Sequence, residues 1–213
     1  MFQRKIQLRG NLRCLQLLLF VVTVSGAHVE TPDSRIVAGS ETTIEEYPYQ
    51  LSMQLQPKDK LIHNCGASII SEKWALSAAH CVEGLPLDWM SLRAGSTYAS
   101  KGGSLHKVKK IYMNNYDPEN YENDICLLEV EPPFEYSKSV QAIPMESSSV
   151  AGGTVGVATG WGRVEGDSGG PFVVNGKLLG VVSWGLGCAR KGIPGVLSNV
   201  SYFRGWVKDV TDI

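Results

Sequence analysis

No stretch of this 213-residue chain is long and apolar enough to span a bilayer comfortably, which excludes a multi-pass membrane protein. Charge is scarce as well: 19% of residues are charged, the formal net charge is -1, and no basic block stands beyond the N-terminus. Such a surface offers no footprint for nucleic acid or for an anionic membrane. Glycine-rich phosphate loops and paired His/Cys spacings of the zinc type are also missing, so no cofactor and no metal are expected. Neither internal repeats nor low-complexity tracts interrupt the chain.

What is present is a 43% hydrophobic composition, enough to bury a substantial core in a soluble globular protein. The first residues follow a secretory plan, with Arg4, Lys5, Arg9 and Arg13 ahead of an apolar run from Leu15 to Val24 and the small residues Ser25-Gly26-Ala27. Residues 1–27 therefore read as a signal peptide, and the expected location is secreted and extracellular. Losing it removes four positive charges and takes the formal charge from -1 to -5. Five cysteines fall to four, Cys65, Cys81, Cys126 and Cys188, in an oxidising compartment where three pairings are open. Cys126 lies within Ile125-Cys126-Leu127-Leu128 and reads as a small buried hydrophobe.

Short β-rich runs separated by Gly, Pro, Asn and Asp clusters follow: Gln50 to Leu55, Gly66 to Ile70, Trp74 to Ser77, Ser91 to Ala94, Val108 to Met113 and Asp124 to Val130. This rhythm predicts an all-β barrel or sandwich. After a turn-rich connection from Pro132 to Gln141, four more strands are predicted over Thr154 to Trp161, Pro171 to Val174, Lys177 to Trp184 and Gly195 to Val200. A C-terminal helix over Ser201 to Val210 is predicted, with Ser201 as N-cap and Phe203, Trp206, Val207 and Val210 on one face. Asn199-Val200-Ser201 matches an N-glycosylation acceptor, and His63 and His106 read as surface residues.

The residues with the most chemistry are Ala78-Ala79-His80-Cys81, Asn123-Asp124-Ile125 and Gly166-Asp167-Ser168-Gly169-Gly170-Pro171, in the chain order His, Asp, Ser. With Trp74-Ala75-Leu76-Ser77 before the histidine and Ser183-Trp184-Gly185 after the serine, the sequence resembles the chymotrypsin/trypsin-like serine proteases. The resemblance covers Ile36 to Trp161 and Gly166 to Val210. It implies two six-stranded antiparallel barrels, His80, Asp124 and Ser168 as catalytic triad, and the N–H groups of Gly166 and Ser168 as oxyanion hole. It also implies a Cys65–Cys81 disulfide around the histidine loop. Pocket residues carried over are Ser183, Trp184, Gly185, Gly187 and Gly195.

The resemblance further implies that residues 28–35 form a propeptide cut between Arg35 and Ile36. The new Ile36 ammonium would pair with Asp167, because a buried charge needs a partner. The trypsin-like domain would then run over residues 36–213, and the mature formal charge would be -4. Protein or peptide substrates, an activating protease, protein inhibitors and a monomeric state are the implied partners, with no nucleic acid and no membrane.

Departures are concentrated at one place. His80 to Asp124 is 44 positions and Asp124 to Ser168 is 44, whereas the family template spaces them about 45 and about 93, so roughly 50 residues are absent before the nucleophile. The pocket-floor acid, about six residues before the nucleophile in trypsin-like enzymes, falls on Gly162. The family cysteine that would pair with Cys188 falls on Val164. Four strands in place of six predict an incomplete second barrel with open edges. Two readings remain at this point: a secreted serine endopeptidase made as a zymogen, or a shortened, impaired homologue acting by protein binding.

Overall fold

The computed structural model describes residues 1–8, 19–23, 39–162, 168–185 and 195–213. In chain order the strands are β1 (Phe2–Leu8), β2 (Leu19–Thr23), β3 (Ser40–Glu41), β4 (Gln50–Leu55), β5 (Ile62–Ile69), β6 (Trp74–Ser77) and β7 (Met90–Ala94). They continue with β8 (Ser104–Met113), β9 (Cys126–Glu131), β10 (Val155–Gly160), β11 (Pro171–Val174), β12 (Lys177–Gly185) and β13 (Gly195–Asn199), and the chain ends in helix α1 (Val200–Thr211). The all-β reading with one C-terminal helix is borne out.

Strands β4-β5-β6-β9-β8-β7 close into a six-stranded antiparallel barrel. Its staves carry the sequence alternation: in β8, His106 and Val108 are buried while Lys107 and Lys109 are exposed. His106, expected at the surface, is 3% exposed. Burial is tolerated because both ring nitrogens have partners, Ser104 Oγ at 2.7 Å and the Pro132 carbonyl at 2.7 Å. His63 is partly buried and hydrogen-bonds through Nδ1 to Ser52 Oγ at 2.8 Å.

The second half contributes the four strands expected of it, ordered β10-β11-β12-β13. The β11–β12 hairpin turns on Asn175 (φ 48°) and Gly176 (φ 75°), the left-handed pair that suits strand twist. The sheet does not stop there. It continues as β2-β1-β3, and β1 also pairs with β10, matching Phe2 to Gly160 through Gln7 to Val155. Strand β2 pairs with β13 from Leu19–Ser198 to Val22–Gly195. Segments read as leader thus pair with β10 and β13, whose edges would otherwise leave backbone N–H and C=O groups unsatisfied. Met1 is buried with Ile44 and Trp161, and its carbonyl accepts from Thr42 N at 3.0 Å.

One apolar cluster runs from Leu51, Met53 and Leu128 of the first barrel to Val181 of β12 and Phe203 and Val207 of α1. A smaller one, Phe172, Val174, Leu179 and Leu197, fills the second sheet. The helix is capped by Asn199, not Ser201: Asn199 Oδ1 accepts from Ser201 N at 3.1 Å and from Ser201 Oγ at 2.9 Å. Asn wins because it stands one residue before the first helical residue, where its carbonyl oxygen reaches the open N–H groups.

Candidate active site

The site lies where the two halves meet. Cys65 at the end of a strand-pairing stretch in β5 and Cys81 in a single 3-10 turn are joined by a disulfide, with Cα atoms 6.2 Å apart. This is the pair that the resemblance implied. The bond pins the turn Ala79–Cys81, so His80 is held in place by its own neighbour in sequence. The tie is tightened by Asn64, whose Nδ2 donates to the Cys81 carbonyl at 3.2 Å.

Asp124 faces the histidine from the turn just ahead of β9. Asn123 adopts φ 53° and Ile125 N donates back to the Asn123 carbonyl at 2.7 Å, a tight turn that thrusts the Asp124 side chain inward. Asp124 is 1% exposed. A buried charge must be compensated, and here three donors converge on it. His80 N donates to Oδ1 at 2.8 Å, His80 Nδ1 meets Oδ2 at 2.7 Å, and the Ser183 hydroxyl also donates to Oδ2. Because a carboxylate only accepts, Nδ1 is the donor in this bond, and Nε2 is the ring nitrogen left for other partners.

Ser168 stands on the far wall, in a turn forced against the first barrel. Gly66 N donates to the Ser168 carbonyl at 2.8 Å, Gly169 N to Val182 O at 2.7 Å and Val182 N to Gly170 O at 2.9 Å. Gly169 has φ +77°, and a Cβ there would lie 2.5 Å from the Gly66 carbonyl oxygen; a Cβ on Gly66 would lie 2.7 Å from Gly170 Cα. Only glycine allows this approach of two backbones. The Ser168 hydroxyl points to the Ser183 carbonyl at 3.4 Å, while His80 Nε2 stands 3.6 Å from Cys81 Sγ. His80, Asp124 and Ser183 are thus brought into one hydrogen-bonded group, with Ser168 beside Ser183 and not bonded to the imidazole.

Of the pocket residues, Ser183 is buried, Trp184 is 37% exposed and Gly185 pairs with Gly195 across β12 and β13. Gly166, Asp167, Gly187, Arg35, Ile36, Val164 and Cys188 lie outside the described residues. Cys126 is a free, buried cysteine, as its apolar run suggested; burial first, and the Asp124 charge second, push its thiol up and keep it neutral. Cys65, His80 and Cys81 bring ligand atoms within 4.8 Å of one another, but both sulfurs are committed to the disulfide.

Three residues escaped the sequence reading. Tyr121 sits edge-on to His80 with centroids 5.9 Å apart and 6.3 Å from Trp184, and Tyr116 follows at 6.4 Å from Tyr121. Burial, then the Asp124 charge, raise the Tyr116 phenol and hold it neutral. Their clustering in Asn115–Asn123, just upstream of Asp124, was the available signal. Ser198, in β13, carried none.

The Trypsin family model matches this chain over residues 36–166 and 163–207, two stretches that meet at the shortened segment. The chain is 33% identical over 228 positions to a trypsin of Sarcophaga bullata, covering 83% of this chain and 89% of that protein. It is 32% identical to trypsin alpha of Drosophila melanogaster over 226 positions (82% and 87% covered) and 31% identical to trypsin delta of the same species (82% and 88%). The alignment with the Sarcophaga protein spans more positions than the 213 residues present here, so that relative carries residues which this chain lacks. Together with the closed all-β barrel and the buried Asp124–His80 pair, these matches identify the chain as a member of the trypsin family of serine proteases.

Proposed function

We propose that the chain is a secreted serine endopeptidase made as a zymogen, in which Ser168 is the nucleophile, His80 the general base and Asp124 the group that orients it. The observation that carries this reading is the buried Asp124 carboxylate holding both His80 N and Nδ1 at 2.8 and 2.7 Å, which leaves Nε2 as a free base. In the reaction Ser168 Oγ attacks the scissile carbonyl carbon and passes its proton to Nε2. The imidazolium so formed is stabilised by Asp124, and the oxyanion is met by the N–H groups of Gly166 and Ser168. His80 then protonates the leaving amine, and water repeats the sequence on the acyl-enzyme.

The orientation of Ser168 toward Ser183 suits a precursor. Cleavage after Arg35 supplies an Ile36 ammonium for Asp167, the neighbour of Ser168, and rotation about the serine χ1 then brings Oγ to His80. Residues 1–27 direct secretion and residues 28–35 leave as the propeptide, so the mature chain gives up strands β1 and β2 and their pairing with β10 and β13. With glycine at 162 the site lacks the acid that would select Arg or Lys. Peptide-library hydrolysis by the chain cut after Arg35 tests the reading: turnover abolished by Ser168→Ala, with no preference for basic residues, is expected. Absence of turnover in folded, cut protein overturns it.

A further inference from the structure

Two strands of the second half reach across to Asp124. Ser183 of β12 donates to the carboxylate; Ser198 of β13 donates its hydroxyl to the Asp124 backbone carbonyl at 2.5 Å. The two strands pair with Val181 opposite Ser198 and Val182 opposite Leu197, and the register then shifts between Val182 and Gly185, the stretch that holds Ser183. Ser198 is 5% exposed and Asp124 1%, so bulk water is shut out from the bond. Strand β9 begins only at Cys126, and the barrel ladder therefore does not anchor the Asp124 carbonyl.

That carbonyl belongs to a residue whose backbone is already committed to a tight turn by the φ of Asn123 and the Ile125 N–H to Asn123 O bond. Fixing it settles the remaining freedom, which is rotation of the Asp124 peptide about the turn. The carboxylate then meets His80 N and Nδ1 together. We propose that Ser198 is a positioning residue: its hydroxyl, donated across the junction of the two halves, sets the direction from which Asp124 engages His80. This rests on the protease reading for its kinetic consequence, but the geometry concerns the Asp124–His80 pair itself. It also ties β13, a strand of the shortened half, to the residue that orients the base.

The test compares Ser198→Thr with Ser198→Val in the full chain cut after Arg35. The two side chains have the same shape, so any steric burden is common to both, and only Thr keeps the hydroxyl. Val is expected to lower kcat about tenfold with KM within about twofold, and Thr to restore most of the loss. A second readout needs no activity: in a Ser168→Ala background, the low-field proton resonance of His80 Nδ1–H moves upfield with Val and stays in place with Thr. Equal kcat and equal resonance positions for Val and Thr would overturn the proposal, as would a loss confined to KM. A parent chain without turnover, but with a resonance that responds to Val alone, would sink the protease reading while leaving Ser198 in its place.

Discussion

Replacing Gly169 by alanine probes the joint on which Ser168 is mounted. Two separate penalties arise. The first is conformational: at φ +77° a residue with a Cβ is strained by about 1–2 kcal/mol. The second is steric, because the new methyl would stand 2.5 Å from the Gly66 carbonyl oxygen and closer still to Ser77 Oγ. Neither atom is free to retreat, since Ser77 Oγ itself donates to Gly66 O at 2.8 Å and Gly66 N is bonded to the Ser168 carbonyl at 2.8 Å. Overpacking of this kind costs about 1–3 kcal/mol, for a total of about 2–5 kcal/mol. Gly176→Ala supplies the control: its φ is +75°, yet nothing lies within 4 Å of its Cβ, so it carries the conformational penalty alone. Urea denaturation of both variants measures the difference, expected at about 1–3 kcal/mol with unchanged slope. Equal losses for the two glycines would refute the claim that the nucleophile turn is jammed against the first barrel.

Further outcomes follow from the same geometry. Cys126, buried and with its thiol raised, should resist iodoacetamide at neutral to mildly alkaline pH in native protein and react once unfolded, as read by peptide mapping. Changing both Cys65 and Cys81 to serine opens a loop of 16 residues' separation and should lower stability by about 3 kcal/mol in denaturant titration. Asn199, 2% exposed and occupied as a helix cap, should carry no glycan in secreted protein, so glycosidase treatment should leave the mass at that peptide unchanged; Asn199→Ala should cost about 1 kcal/mol. Protein lacking residues 1–23 should expose the edges of β10 and β13, lowering its denaturation midpoint and promoting self-association by gel filtration; an unchanged midpoint and monomeric elution would contradict the pairing of those strands.

The first barrel was legible because each of its strands alternates or runs apolar between turn residues, and Gln50–Leu55 and Trp74–Ser77 fall where the pattern puts them. The helix face of Phe203 and Val207 was legible for the same reason, through its own period. Its cap was misread by two residues: Asn and Ser are both good caps, and only the backbone decides which side chain reaches the open N–H groups. Leader residues in the second sheet were illegible, since their apolar, basic pattern reads as a secretion signal and strand pairing depends on edges left vacant far along the chain. His106 was misread because its burial depends on Ser104 and the distant Pro132 carbonyl, a pairing with no local trace. His80 and Asp124 could be named from motif and order, whereas Ser198 acts through a contact 74 residues away that no motif announces.

The central claim is that Ser168 becomes a nucleophile in this shortened chain once Arg35–Ile36 is cut. Labelling with a fluorophosphonate probe tests it most directly, applied to cut and uncut protein with Ser168→Ala beside them and the modified residue mapped by mass spectrometry. Labelling of Ser168 that depends on cleavage and disappears in the alanine variant is expected. Folded, cut protein that takes up no probe at Ser168 would contradict it.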